Sequence, residues 1–235
     1  MKKINQLYAI LFRWASAIPV VGRLFPRHPY LWPWSVYACF NICHTIIFRM
    51  GYWRSILTPG SVDGKGRPQP WFSYPAIEFL KRRNLSRMDV FEFGSGFGTA
   101  WFSANANSVT TVEHQSNWRD KVEAMCAGNT DISLATNKAD YLAAIEKKDA
   151  YHIIVVDAEH RLECAKVSVN RLRRGGMIIV DNTESGGPGF DAAEYLESND
   201  NLLRVDFWGF APCCDWYGDT TIFFDRKTTN TPKGG

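Results

Sequence analysis

Three groups of residues in this sequence have the types and spacing that chemistry needs. In the first, an apolar run at 90–93 stops at glycines on alternate positions, Gly94, Gly96 and Gly98, with Ser95 between the first two and an acid, Glu92, just ahead of them. Glycine tolerates positive φ and lets a ligand come close to the backbone, so a strand ending this way makes a cradle. A helix starting behind it, over 99–106, turns free N–H groups and its positive dipole end into that cradle. The ligand suited to such a place is nucleotide-like, with a negatively charged or hydroxyl-rich tail.

The second group is Glu113, closing a predicted strand at 109–113, where its carboxylate can accept two hydrogen bonds from ribose hydroxyls. The third is Asp157 with Asp181 and Asn182, which end predicted strands at 151–157 and 176–181. If those strands are adjacent, the oxygen donors converge on one spot. Carboxylate and amide oxygens without sulfur or imidazole suit Mg²⁺ or a similar hard cation. Sheets of this kind also end strands in acids with no metal bound, so both readings stand. His160 lies three residues after Asp157. It is either a base working near neutral pH or a solvated residue at a helix start.

These groups need a scaffold that brings strand ends together, and the sequence alternates accordingly. A helix over 75–83 carries Pro75 in its first turn. After the cradle come strand 109–113, helix 116–127, strand 132–135, helix 139–147, strand 151–157, helix 160–173 and strand 176–181. The continuous β-branched runs at 153–156 and 178–180 suit strands buried on both faces of a parallel sheet. A short helix at 191–197 and two closely connected strands, 202–207 and 220–224, end the chain. The fold class is therefore α/β, doubly wound, with ligands expected at the carboxyl ends of the strands.

The dinucleotide fingerprint G-x-G-x-x-G would require glycine at position 99, where Thr99 stands. The pattern present instead, an acid two residues before three alternating glycines and a second acid ending the next strand, resembles the class I S-adenosylmethionine-dependent methyltransferases. The resemblance covers residues 75–226. It implies a mostly parallel, seven-stranded Rossmann-like sheet with an antiparallel last strand. It also implies that Glu92 and the 94–98 backbone (Gly94, Ser95, Gly96, Gly98) hold the methionine part of S-adenosyl-L-methionine. Glu113, beside His114, would hold the ribose. Family members often place a carboxylate near Asp140 on the adenine amino group, with Tyr141 packed on the ring. An acid stabilised by the helix dipole is the competing account of Asp140.

At Asp157, Asp181 and Asn182 the resemblance narrows to the cation-dependent O-methyltransferases of catechols and caffeoyl-CoA. It implies that these three residues hold a metal, with Mg²⁺ as a second cofactor and Asp157 and His160 as catalytic residues. The sequence departs from that pattern at His160, where those enzymes carry lysine. The expected function is cation-assisted O-methylation of a hydroxyl on a small molecule or glycan, with no nucleic-acid substrate. The segments 183–190 and 209–217 should line the acceptor pocket. The alternatives are a metal-independent methyltransferase on N or O, a nicotinamide-dependent oxidoreductase, and a non-catalytic membrane-tethered scaffold.

Composition frames this domain. The net charge is +3 over 235 residues, but the first 62 contain no acid and carry +7 from Lys2, Lys3, Arg13, Arg23, Arg27, Arg49 and Arg54, leaving −4 for the rest. We divide the chain into a basic, aromatic-rich helical extension and linker (1–70), a methyltransferase-like domain (71–228) and a disordered tail (229–235). Residues 4–18 have helical amphipathic spacing. The run at 28–48 is uncharged apart from histidine but too diluted by Pro33, Asn41 and His44 to span a bilayer. Residues 1–60 are either a peripheral membrane anchor or a helical cap packed on the domain. Trp71, Phe72 and Tyr74 either fold over the cofactor or fill the core. Six scattered cysteines suggest reduced thiols in a cytoplasmic protein, with a membrane face as one location. Oligomeric state is open.

Overall fold

The computed structural model describes residues 32–58 and 60–226. The predicted helix over 4–18 and the tail 229–235 lie outside the described residues. The chain divides into two compact units, Met1–Met50 and Gly51–Gly235. In the first, helix α1 (Trp32–His44) runs into a π-helical turn (Thr45–Arg49), and the rings of Phe40, His44 and Phe48 follow one another at 5.9 and 5.6 Å.

The second unit begins ahead of the residue 71 start read from the sequence. It opens with α2 (Tyr52–Leu57), and the turn-rich stretch at 58–70 is a bonded part of it rather than a free linker. Ser55 and Ser61 hydroxyls donate to the carbonyls of Val62 and Pro70, each at 2.9 Å, and the Gln69 amide donates to Val62 at 3.0 Å. All three side chains are buried. Composition marks turns here, but it does not tell a loop whose polar groups are satisfied internally from one left in water.

The other elements follow as α3 (Tyr74–Lys81), β1 (Asp89–Phe93), α4 (Phe97–Asn105), β2 (Ser108–Glu113), α5 (Ser116–Glu123) and β3 (Thr130–Leu134). Then come α6 (Lys138–Ala143), β4 (Tyr151–Val156), α7 (Arg161–Val169), β5 (Leu172–Asp181), α8 (Phe190–Glu197), β6 (Leu202–Phe210) and β7 (Tyr217–Asp225). One seven-stranded sheet has the order β3-β2-β1-β4-β5-β7-β6. β7 runs antiparallel to both its neighbours, and the remaining pairings are parallel. The chain order reverses between β1 and β4, and that reversal opens a crevice at the strand tips.

The core explains why the central strands read as unbroken apolar runs. Phe91, Phe93, Ile154, Val156, Ile178, Val180 and Phe223 belong to one buried cluster, which also holds Tyr141 of α6, Cys164 of α7 and Leu196 of α8. The alternate residues Val90, Ile153, Val155, Ile179 and Ile222 are buried as well, so both faces are covered. α3 is capped by Ser73, whose hydroxyl accepts from the Ala76 N–H and donates to the Phe207 carbonyl at 2.6 Å. The last two strands are longer than their apolar cores suggest. Trp208 pairs with Asp219, Gly209 with Gly218 and Phe210 with Tyr217, so the strands reach into both ends of the segment 209–217. The extra length lies at a sheet edge, where polar and glycine residues blur the hydrophobic pattern.

Candidate active site

At the tip of β1 each cradle glycine has a separate steric reason. Gly94 has φ +86°, and a Cβ there would lie 2.8 Å from the Asp157 carbonyl oxygen, so the tips of β1 and β4 touch. A Cβ at Gly98 would lie 2.9 Å from Glu92 Oε1, because the first turn of α4 rests on that carboxyl. Gly96 differs: a Cβ there meets nothing within 4 Å, so its backbone faces open space.

Thr99, at the position where a dinucleotide fingerprint has glycine, ties this turn together. Its hydroxyl accepts from the Gly96 N–H at 2.9 Å and donates to Glu92 Oε2 at 2.5 Å. The sequence reading gave Thr99 no role, because Gly96 and Thr99 do not form the S/T-x-x-E/Q pattern that marks a capping box. Glu92 is 6% exposed. Burial pushes its pKa up to about 8; the Thr99 bond opposes this, and the charges of Asp157 and Glu113 add to it. A cavity of about 130 Å³ lies over the turn, lined by Trp71, Phe72, Glu92, the 94–98 backbone, Trp118 and Asp157.

Glu113 lies beside the cradle, as the sequence implied, but its oxygens are already engaged. Oε2 accepts from the Ser95 N–H at 3.1 Å and hydroxyl at 2.8 Å, and Oε1 accepts from the N–H groups of His114 at 2.8 Å and Gln115 at 3.0 Å. Trp118 adds a bond from its indole N–H to the Ser95 carbonyl at 2.7 Å. Glu113 therefore braces the glycine turn from behind.

A second cavity of about 80 Å³ sits at the ends of β2 and β3, lined by His114, Ala135, Thr136, Asn137, Lys138, Tyr141, Glu159 and His160. Tyr141 lines this site, and its hydroxyl is buried with no partner among the described residues. Asp140 does not line it; its carboxylate accepts from the Asn137 amide at 2.6 Å at the start of α6. Its neighbours Asn137 and Tyr141 line the cavity in its place.

The third cavity, about 230 Å³, is lined by Trp71, Ser73, Asp157, Asp181, Asn182, Ala211, Cys214, Trp216, Gly218 and Thr220. The oxygen donors at the ends of β4 and β5 thus meet at one site, and it shares Trp71 and Asp157 with the cradle cavity. Asp181 is held by a chain of bonds. The Ser73 N–H donates to Thr220 Oγ1 at 2.9 Å, and that hydroxyl donates to Asp181 Oδ1 at 2.5 Å. Of the expected segment 209–217, Ala211, Cys214 and Trp216 line this cavity, with Gly218 just beyond it, whereas 183–190 contributes no lining residue. Within the latter, Glu184 instead accepts from the Asp219 N–H at 3.0 Å.

His160 is not among the residues lining this third cavity. It precedes α7 in a left-handed conformation, φ +58°, exposed and facing the Tyr141 cavity. The next residue turns inward, and the sequence reading passed it over. Arg161 Nη2 donates to Asp157 Oδ1 at 2.7 Å and to Asn182 Oδ1 at 3.2 Å. Burial raises the pKa of Asp157 while the Arg161 charge lowers it. Burial first, and then the Asp157 charge, raises that of Asp181 well above the usual carboxylate value. Burial thus works against ionising both carboxyls, and the guanidinium favours Asp157 over Asp181 as the ionised one.

The oxygen set is the right chemistry for a hard cation, but as arranged it does not fit one. Asn182 has a single side-chain oxygen, and it faces Arg161, as does one oxygen of Asp157. One oxygen of Asp181 is bonded to Thr220. Among the described residues, no group of three or more His, Cys, Asp or Glu side chains is placed to hold a metal ion.

No protein-family model matches this chain, and no curated protein matches it either. Solved structures do. An O-methyltransferase from Bacillus cereus in complex with SAH superposes with a TM-score of 0.57 at 15% identity, over 79% of this chain and 95% of that one. Cofactor-bound Rv0187 from MTB gives 0.57 at 17% identity, over 81% and 97%. The O-methyltransferase TomG from Streptomyces achromogenes, involved in tomaymycin synthesis and in complex with SAM, gives 0.54 at 15% identity, over 64% and 78%. The second unit has the fold of these class I S-adenosylmethionine-dependent methyltransferases.

Proposed function

We propose that the chain is an S-adenosyl-L-methionine-dependent methyltransferase acting on a hydroxyl of a small molecule or glycan. The observation that carries this is the junction at Asp157 and Trp71, where a glycine cradle with a buried acid adjoins the third cavity, lined by Asp157 and Asp181. Similarity to solved structures that contain SAM or SAH supports the choice of cofactor. The cradle suits that molecule: Gly96 leaves backbone open to it, Glu92 meets its cationic amino-acid end, and Tyr141 lines the cavity beyond.

When bound, S-adenosyl-L-methionine supplies an electrophilic methyl group on sulfur. The chain's part is to aim an acceptor oxygen at that methyl and to take its proton. Much of the rate then comes from positioning. Asp157, ionised and at the junction, is the proton acceptor. Asp181, protonated and fixed by Thr220, donates a hydrogen bond that orients the acceptor. Trp71 and Trp216 offer flat surfaces to an acceptor ring. His160, on the side of the Tyr141 cavity, is placed to contact the cofactor's nucleoside rather than the acceptor.

Gly96→Ala tests the cofactor assignment. Its φ of −179° is extended backbone that any residue adopts, and its Cβ would enter only open space. Calorimetry with S-adenosylhomocysteine should show binding to the wild type and about tenfold weaker binding to the variant, a loss of about 1.4 kcal/mol, at an unchanged melting temperature. No heat with wild-type protein would reject the reading.

For the extension we propose peripheral contact with a membrane face through residues 1–60. The acid-free composition and the exposed Tyr37, Phe40, Ile42 and Phe48 support it. Among the described residues no helix is long and apolar enough to cross a membrane. Co-sedimentation with anionic liposomes should be lost on deleting 1–50, which leaves the second unit whole; retention would remove the idea.

A further inference from the structure

We propose that Arg161 is the resident cation of the acceptor site, occupying with its guanidinium the charge position that a divalent metal would otherwise fill between Asp157 and Asn182. The site is thereby built to work without a metal. This rests on the acceptor-site reading above, since it concerns how that cavity handles charge.

The sequence placed an acid, an acid and an amide at the ends of neighbouring strands, a set that attracts a hard cation. The structure brings a cation to them from within the chain. Arg161 opens α7 directly behind the tip of β4, and one nitrogen, Nη2, reaches both Asp157 Oδ1 and Asn182 Oδ1. Its side chain is 14% exposed, and its Nε is buried without a partner, so the group is held by this contact and not by solvent. Guanidinium is suited to the task because it stays charged at every working pH and is more weakly hydrated than an ammonium.

Backbone geometry fixes the arrangement at both ends. His160 and Asn182 each adopt φ +58°, a left-handed conformation uncommon outside glycine. At His160 the turn leaves the imidazole exposed and sends the next side chain inward. At Asn182 the turn follows directly on β5. Two such turns on either side of one guanidinium show a site shaped around it. A divalent ion at the same carboxylates would sit beside a fixed positive charge, which opposes its entry.

Arg161 is a positioning residue: it directs Asp157, while Asp157 meets the acceptor. The test is metal uptake, read by the electron paramagnetic resonance signal of free Mn²⁺ and by Mg²⁺-dependent thermal shift. EDTA-treated wild type should take up no Mn²⁺ at about 1 mM, a concentration that fills even weak divalent sites. Arg161→Gln should gain one bound Mn²⁺ per chain and a rise in melting temperature with Mg²⁺. Adding Asp181→Asn should abolish the gain, and Arg161→Lys, which restores a charge, should again exclude the ion.

Uptake of Mn²⁺ by the wild type would overturn the proposal, as would failure of a folded Arg161→Gln to bind it. Circular dichroism establishes folding. If neither Arg161 variant folds, the wild-type titration extended to about 10 mM decides, with absence of binding sustaining the proposal and binding refuting it. S-adenosylhomocysteine calorimetry on the same samples reports separately on the cofactor reading.

Discussion

Glu92→Gln should raise the stability of the ligand-free protein above pH 7 while weakening S-adenosylhomocysteine binding about 100-fold. Both effects come from one buried carboxyl. In the folded chain its pKa stands at about 8 against an ordinary 4.5, with burial as the main cause. A carboxyl raised on folding contributes its full stability below pH 4.5 and loses it progressively as pH rises through 8. The gap amounts to about 5 kcal/mol as an upper value. Glutamine cannot ionise, so the variant's melting temperature should stay level across that range while the wild type's falls, with the largest difference near pH 8–9.

Binding reverses the balance at the same carboxyl. A cationic amino-acid end entering the cradle favours the ionised form, so the wild type should release close to one proton per ligand at pH 7. Calorimetry in buffers of differing ionisation enthalpy reads that proton directly. The variant should release none, and losing a hydrogen bond between charged groups, about 1.5–3 kcal/mol, accounts for its weaker binding. Proton release unchanged in Glu92→Gln would mean that another group faces the ligand.

Strand periodicity and the glycine spacing made most of this fold legible. Residues 153–156 and 178–180 are apolar at every position because both sheet faces are covered, and their shortness and β-branched content decide for strand over buried helix. Strand ends carry the site in such sheets, so Asp157 and Asp181 followed from the same pattern. Side-chain direction did not. His160 and Arg161 are adjacent, and a positive φ at one decides which points inward; spacing holds no record of that angle. Thr99 read only as a missing glycine, since its value depends on two bonds that close across the turn. The loop at 58–70 looked like a linker because composition does not show that Ser61 and Gln69 are buried on bonds to carbonyls within the loop itself.

Glu113→Ala should lower the melting temperature sharply and weaken cofactor binding as a consequence. The carboxylate is 3% exposed and takes three backbone N–H groups and one hydroxyl. Truncation strands those donors at the tip of β2 and in the glycine turn. A buried donor without a partner costs about 1–3 kcal/mol, so three stranded N–H groups cost about 3–9 kcal/mol, or roughly 6–36 °C for a unit of this size. Glu113→Gln keeps an acceptor for His114 and Gln115 and can still donate to the Ser95 hydroxyl, so only the Ser95 N–H is left opposed. Its loss should be about 1–2 kcal/mol. A carboxylate whose sole task was to grip ribose would behave differently: the alanine variant would melt like the wild type and lose affinity alone. Thermal melts of both variants without ligand, followed by S-adenosylhomocysteine titration, separate the two roles. An alanine variant with unaltered stability would show that the brace behind the cradle carries no weight.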